Sequence, residues 1–180
     1  MTVLTSARGL AAALLLASAA PALAAGAHGG HGASPAGMAG GTPARTVEIV
    51  LDDTFYEPES VDVAPGETIR FRIRNAGALA HEFGIGTMAM HEAHQAEMQM
   101  LADHGVLKPT GMDMAAAKAM QASMGHGMHD MSNTVLVAPG KTAELVWTFP
   151  AHMGEPVEFA CGVPGHAGAG MVGMFHAPGH

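Results

Sequence analysis

The sequence predicts an all-β fold, a sandwich of short strands interrupted once by a partly helical insert, and three observations carry that expectation. Apolar and polar residues alternate through several stretches after Thr46. The motif Val63-Ala64-Pro65-Gly66-Glu67 recurs as Val137-Ala138-Pro139-Gly140-Lys141, each time between two alternating runs. From Met88 to Ser132 the alternation lapses into Ala, Met, Gln, Glu and Lys, residues that favour helix.

The chain begins with a stretch that is not part of this fold. Met1 to Ala24 carries one basic residue, Arg8, an apolar run from Leu10 to Ala20, and Ala22-Leu23-Ala24, the pattern of a cleaved secretory signal. The run is too short to cross a bilayer as a helix, and no run of about 20 apolar residues follows, so no membrane span is expected. The protein is expected to be exported to the periplasm. Residues 25–45 are Gly, Ala, His, Ser and Pro with little to bury, which predicts a disordered arm. Residues 46–180 are expected to form one domain.

Within that domain, Val47, Ile49 and Leu51 fall on one face of a strand, followed by Val61 and Val63. Ile69, Phe71 and Ile73 interleave with Arg70, Arg72 and Arg74, which reads as a half-buried strand of an antiparallel sheet with a solvated, carboxylate-paired face. Pro and Gly in the repeated motif suit the two central positions of a type II turn. Leu145, Trp147 and Phe149 alternate again, and Val157 to Cys161 and Met171 to Phe175 read as two more strands. In the insert, residues 88–132, helices are predicted near Met90 to Leu101 and Asp113 to Met124, because a structureless loop of that length is uncommon.

The composition points to chemistry. Sixteen acidic residues against eight basic ones give a formal net charge of −8, which argues against nucleic acid as a partner. A single cysteine, Cys161, is unexpected where paired cysteines become disulfides. Fifteen methionines and twelve histidines stand against six phenylalanines, one tyrosine and one tryptophan. Thioether and imidazole together lean towards copper.

A mononuclear redox copper site takes two imidazoles and a thiolate in a plane with a weak axial thioether. Cys161-Gly162-Val163-Pro164-Gly165-His166-Ala167-Gly168-Ala169-Gly170-Met171 offers three of those ligands within eleven residues, joined by Gly and Pro that suit a tight loop. Met174 is a rival axial ligand. Upstream, His81 stands at the start of a strand in His81-Glu82-Phe83, after a glycine-containing loop. Glu82 reads as a supporting or surface group rather than a ligand.

An upstream His-Glu-Phe followed by Cys, His and Met on one loop resembles the cupredoxin family of type 1 copper proteins, over residues 46–88 and 133–178. The resemblance implies a Greek-key β-sandwich and one-electron copper chemistry at His81, Cys161, His166 and Met171. It also implies that His166 presents its ring edge amid Gly162, Val163, Pro164 and Ala167, an apolar face on which a redox partner protein docks.

The insert holds ten methionines and five histidines that an electron carrier has no use for. On a helix, His91, His94 and Met98 share one face at spacings of three and four. Met124, His126, Met128, His129 and Met131 form a dense cluster in a Gly-containing segment, and the arm adds His28 and His31. All of these are candidates for extra copper sites, against the alternative that helically spaced methionines are core filler. The pattern is similar to the CopI-type copper-resistance cupredoxins, which implies a copper-tolerance protein that binds excess copper; a monomer is expected. The competing reading is a one-electron carrier. No enzyme is expected, although oxidation of Cu(I) at the mononuclear site stays open, and multidomain copper enzymes are disfavoured by length.

Overall fold

The computed structural model describes residues 34–124 and 131–177, which fall in one compact unit. The expected signal and residues 25–33 of the arm lie outside them. Twelve strands and two helices follow in order: β1 (Met38–Ala39), β2 (Arg45–Leu51), β3 (Tyr56–Glu57), β4 (Ser60–Asp62), β5 (Thr68–Asn75), β6 (His81–Gly86), α1 (Met88–Asp103), β7 (Leu107–Lys108), β8 (Gly111–Met112), α2 (Met114–Met124), β9 (Thr134–Val137), β10 (Thr142–Thr148), β11 (Glu158–Ala160) and β12 (Val172–His176). Both predicted helices form, and the first extends two residues further at each end than expected.

Two five-stranded sheets, β1-β10-β5-β2-β3 and β4-β12-β11-β6-β9, make the sandwich. The expected antiparallel arrangement needs correction: β2 runs parallel to β5 and β4 parallel to β12, while the other pairs in these sheets are antiparallel. Alternation reports which face of a strand is buried, not which way its neighbour runs. Ile49, Leu51, Ile69, Phe71 and Ile73 turn inward as the alternation requires. They meet Phe83, Phe149, Phe159 and Phe175, whose rings contact one another edge-on or tilted, in one core. Outside, Arg70 lies 3.7 Å from Glu144 and Arg72 3.5 Å from Glu48, the solvated paired face expected.

The two repeated turns close as predicted. Glu67 N–H donates to Ala64 O and Lys141 N–H to Ala138 O, both at 3.0 Å, with Gly66 at φ 75° and Gly140 at φ 70°, the left-handed position of a type II turn.

The arm needs correction in its second half. Residues 34–44, expected to be disordered, pack on the sandwich: Ala36 is fully buried, its carbonyl accepts the Trp147 indole N–H at 2.8 Å, and β1 pairs with β10. A buried indole needs an acceptor, and a chain of small residues can approach closely enough to supply one.

The insert has its own small core of Met98, Leu101, Val106, Leu107 and Ala117, with Met112, Met120, Leu136 and Val163 packed against it. The methionines at helical spacing here are partly core, as the alternative reading held.

Candidate metal centre

β6 lies between β9 and β11, so His81 at its start and Cys161 just past the end of β11 come to the same end of one sheet. The loop from Cys161 to Met171 then returns the chain to β12. Its ends are tied by Cys161 N–H to Met171 O at 3.2 Å, and its middle by Met171 N–H to His166 O at 3.1 Å. A 3₁₀ turn over Ala167–Ala169 follows His166.

Three donors converge in consequence. His81 Nδ1 lies 3.1 Å from His166 Nδ1, and Cys161 Sγ lies 3.6 Å from that same nitrogen. His81, Cys161 and His166 each offer a ligand atom within 4.8 Å of the others. His81 and Cys161 are fully buried and His166 is partly exposed. Met171 is also fully buried, packed in the same core cluster as Cys161. Met174, three residues on, is half-buried and lines a separate cleft with Met153 and Pro156.

The electrostatics fit a cation. Burial pushes the Cys161 thiol up to about 11, partly offset by the Glu82 and Val163 backbone N–H groups, the first of them 3.4 Å from Sγ. Burial also lowers the His166 pKa, helped by the neighbouring His81 ring. Two imidazoles, one of them with a lowered pKa, and a thiol that ionises only against a nearby positive charge suit a soft or borderline metal ion.

Sequence reading missed Asp53, in the turn after β2. Its Oδ1 lies 3.0 Å from His81 Nε2 and accepts the N–H groups of Ala78 and Leu79 at 2.9 and 3.1 Å. The hydrogen bond from His81, then those from the backbone, hold this carboxyl below its usual range. A carboxylate on Nε2 leaves the Nδ1 lone pair aimed at the centre. Asn75 steadies the same loop, donating from Nδ2 to Leu79 O and Val137 O at 2.8 and 2.7 Å. Nothing in the sequence near Asp53 distinguishes it from any turn aspartate.

Glu82, read as a supporting or surface group, is buried. Its carboxylate accepts the Gly162 N–H at 3.0 Å and lies 2.9 Å from His94 Nε2, while its carbonyl accepts the Tyr56 hydroxyl at 2.7 Å. A Cβ at position 162 would collide with Glu82 Oε2 and the His94 imidazole, so the close approach requires glycine there. Gly162 is accordingly buried rather than part of an exposed apolar face; Val163, Pro164 and Ala167 stay partly exposed around His166.

The other candidates separate. His91 and His94 are both buried on the inner face of α1, but His91 Nε2 lies 3.4 Å from Glu158 O whereas His94 meets Glu82. Burial lowers the His91 pKa. For His94 burial acts the same way, but Glu82 and Glu97 outweigh it and raise the pKa. Met98 sits in the insert core and Met131 just before β9. Met124 ends α2; its side chain and His28, His31, His126, Met128 and His129 lie outside the described residues. Among the described residues, no other cluster of His, Cys, Asp and Glu has metal-binding geometry, and no helix is long and apolar enough to cross a membrane.

Residues 45–176 match the family of copper-binding proteins of the plastocyanin/azurin type. The chain is 46% identical over 159 residues to the copper-resistant cuproprotein CopI of Pseudomonas aeruginosa, covering 79% of this chain and 84% of that one. It is 37% identical over 152 residues to CopI of Rubrivivax gelatinosus, covering 83% and 77%. The structure is similar to reduced auracyanin of Roseiflexus castenholzii, with a TM-score of 0.53, 19% identity, and coverage of 76% of this chain and 98% of that one, a likeness of fold.

Proposed function

The chain belongs to the plastocyanin/azurin family of copper-binding proteins, and on that premise we propose that it is a periplasmic copper-tolerance cupredoxin with a type 1 copper held by His81, Cys161, His166 and Met171. The observation that carries the ligand set is the convergence of His81 Nδ1, Cys161 Sγ and His166 Nδ1 at one end of a buried sheet. Copper resistance is carried by likeness to the two CopI proteins.

Bound copper supplies one-electron chemistry between Cu(I) and Cu(II). The chain does the rest. Cys161 surrenders its proton on binding, Asp53 holds the His81 tautomer, and buried walls keep water from the thiolate. The connection from β5 to β6, which links the two sheets, and the loop from β11 to β12 would hold the donors around such an ion. His166, partly exposed beside Val163, Pro164 and Ala167, would be the exit for one electron towards an oxidising partner protein, the chemistry by which a bound Cu(I) would become Cu(II).

That same exposed edge favours a second reading, a one-electron carrier. Copper stoichiometry separates the two: a tolerance protein binds more than one copper per chain. Point variants must carry this test, because removing residues 88–132 would also strip His94 from Glu82. For the mononuclear site, visible and EPR spectra of the copper-loaded protein are compared with Cys161→Ser. An intense thiolate-to-copper band lost in the variant supports the assignment; its absence in the wild type overturns it.

A further inference from the structure

Between α1, β8 and the start of β9 lies a cleft of ≈ 210 Å³ lined by Glu82, His94, Glu97, Met98, Met112 and Met131, with Leu101 and Leu136 among its apolar walls. Its ligand-bearing side chains come from separate segments: His94 and Met98 from α1, Met112 from β8, Met131 from the residues before β9. We propose that this cleft is a second metal site, taking a soft monovalent ion, Cu(I) or Ag(I), through His94 Nδ1 and the thioethers of Met98, Met112 and Met131.

Two observations point there independently. His94 Nδ1 is buried without a hydrogen-bond partner; Glu97 Oε2, 3.7 Å away, is within ion-pair reach but beyond hydrogen-bond length. That nitrogen is open to a proton, a hydrogen-bond donor or a metal ion. The other ring nitrogen, Nε2, is 2.9 Å from both oxygens of Glu82, the carboxylate–imidazole arrangement that orients a ligating histidine and strengthens its donor nitrogen. Second, three thioethers line a cleft that their own segments do not fill, and imidazole with thioethers and no thiolate is a donor set for a soft monovalent cation. Glu82 supplies the charge that balances such an ion.

The structure therefore sorts the insert's ligands differently from helical spacing. His91 leaves the set, since its ring turns to Glu158. Met112 joins it. The site deepens the reading of this chain as a copper-handling protein and rests on it, because a plain electron carrier needs no second ion.

The test uses the full chain with Cu(I) already in the mononuclear centre and its methionine methyl groups labelled with carbon-13. Ag(I) is added anaerobically and followed by NMR. The methyl signals of Met98, Met112 and Met131 are expected to move together and saturate at one equivalent. In the Met98→Leu/Met112→Leu protein, and separately in His94→Gln, which keeps a donor towards Glu82, Ag(I) affinity at this site should fall at least about tenfold. Unmoved methyls in these three residues, with shifts confined to the exposed Met88 or Met114 or with no shift at all, overturn the proposal. The thiolate band of the oxidised protein, read in parallel, judges the mononuclear centre alone: losing it in the wild type would sink that assignment while leaving the methyl shifts to decide this one.

Discussion

His94 Nε2 lies 2.9 Å from both carboxylate oxygens of Glu82, and through that carboxylate the first helix of the insert is hydrogen-bonded to the loop that carries Cys161. Both side chains are more than nine-tenths buried. Breaking a buried pair leaves an uncompensated polar group, so Glu82→Ala should cost about 3 kcal/mol in denaturant unfolding. Glu82→Gln, which keeps an acceptor for Gly162, should cost less. A Glu82→Ala protein as stable as the wild type would show that the link contributes nothing.

Asp53 acts through His81. Asp53→Ala frees the imidazole to rotate and take either tautomer, and copper affinity should fall about 10- to 100-fold by competition with a chelator. Asp53→Asn should retain more, because its amide oxygen can still accept from Nε2. Unchanged affinity in Asp53→Ala would remove the carboxylate from the account.

Met171 and Met174 are separated by location: one buried beside Cys161, the other lining a cleft with Met153 and Pro156. Met171→Leu preserves volume and should cost less than about 1.5 kcal/mol in stability, yet shift the visible spectrum and the reduction potential. Met174→Leu should leave both in place. The reverse pattern would make Met174 the axial ligand.

The Cys161 thiol, pushed up to about 11 by burial, should be nearly inert in the metal-free protein. At pH 8 its thiolate fraction is about 100-fold below that of an ordinary cysteine, and alkylation should be slower by at least that factor. Loading copper at pH 8 should release one proton from this thiol, readable by pH-stat titration. Rapid alkylation of the folded, metal-free chain would contradict the burial argument.

Arg45 Nε donates to Glu67 Oε1 at 2.7 Å, and Glu67 also accepts the Ala64 N–H at 2.9 Å. The arginine hydrogen bond, with the backbone one, lowers the Glu67 pKa. A carboxyl whose pKa is lower folded than unfolded contributes stability above the unfolded value, and loses it as pH falls through the folded one. Arg45 is well exposed, so the contribution is roughly 0.5 kcal/mol. Glu67→Gln should lower Tm at pH 7 and match the wild type near pH 2; a difference that persists at pH 2 would assign the effect to packing.

Strand faces, both turns and both helices of the insert were legible because each depends on residues a few positions apart. Alternation marks a buried face, Pro-Gly marks a turn, and helix formers in a long connection mark helices. The candidate donor loop was legible for the same reason, three donor types lying within eleven residues. Strand direction was not, since β2 beside β5 buries the same face whether it runs parallel or antiparallel. Residues 34–44 were misread because small residues carry no periodic signal, and what orders them is a carbonyl reached by Trp147.

By itself the sequence determined the kind of metal and the candidate donors, because ligand chemistry is a property of side-chain type and the loop places three of them together. Tertiary structure alone decided which groups serve those donors. Asp53 reaches His81, Glu82 joins His94 to Gly162, and Met112 faces the same cleft as Met98 because sheet register and helix docking bring distant segments together. Spacing along the chain carries no record of those contacts.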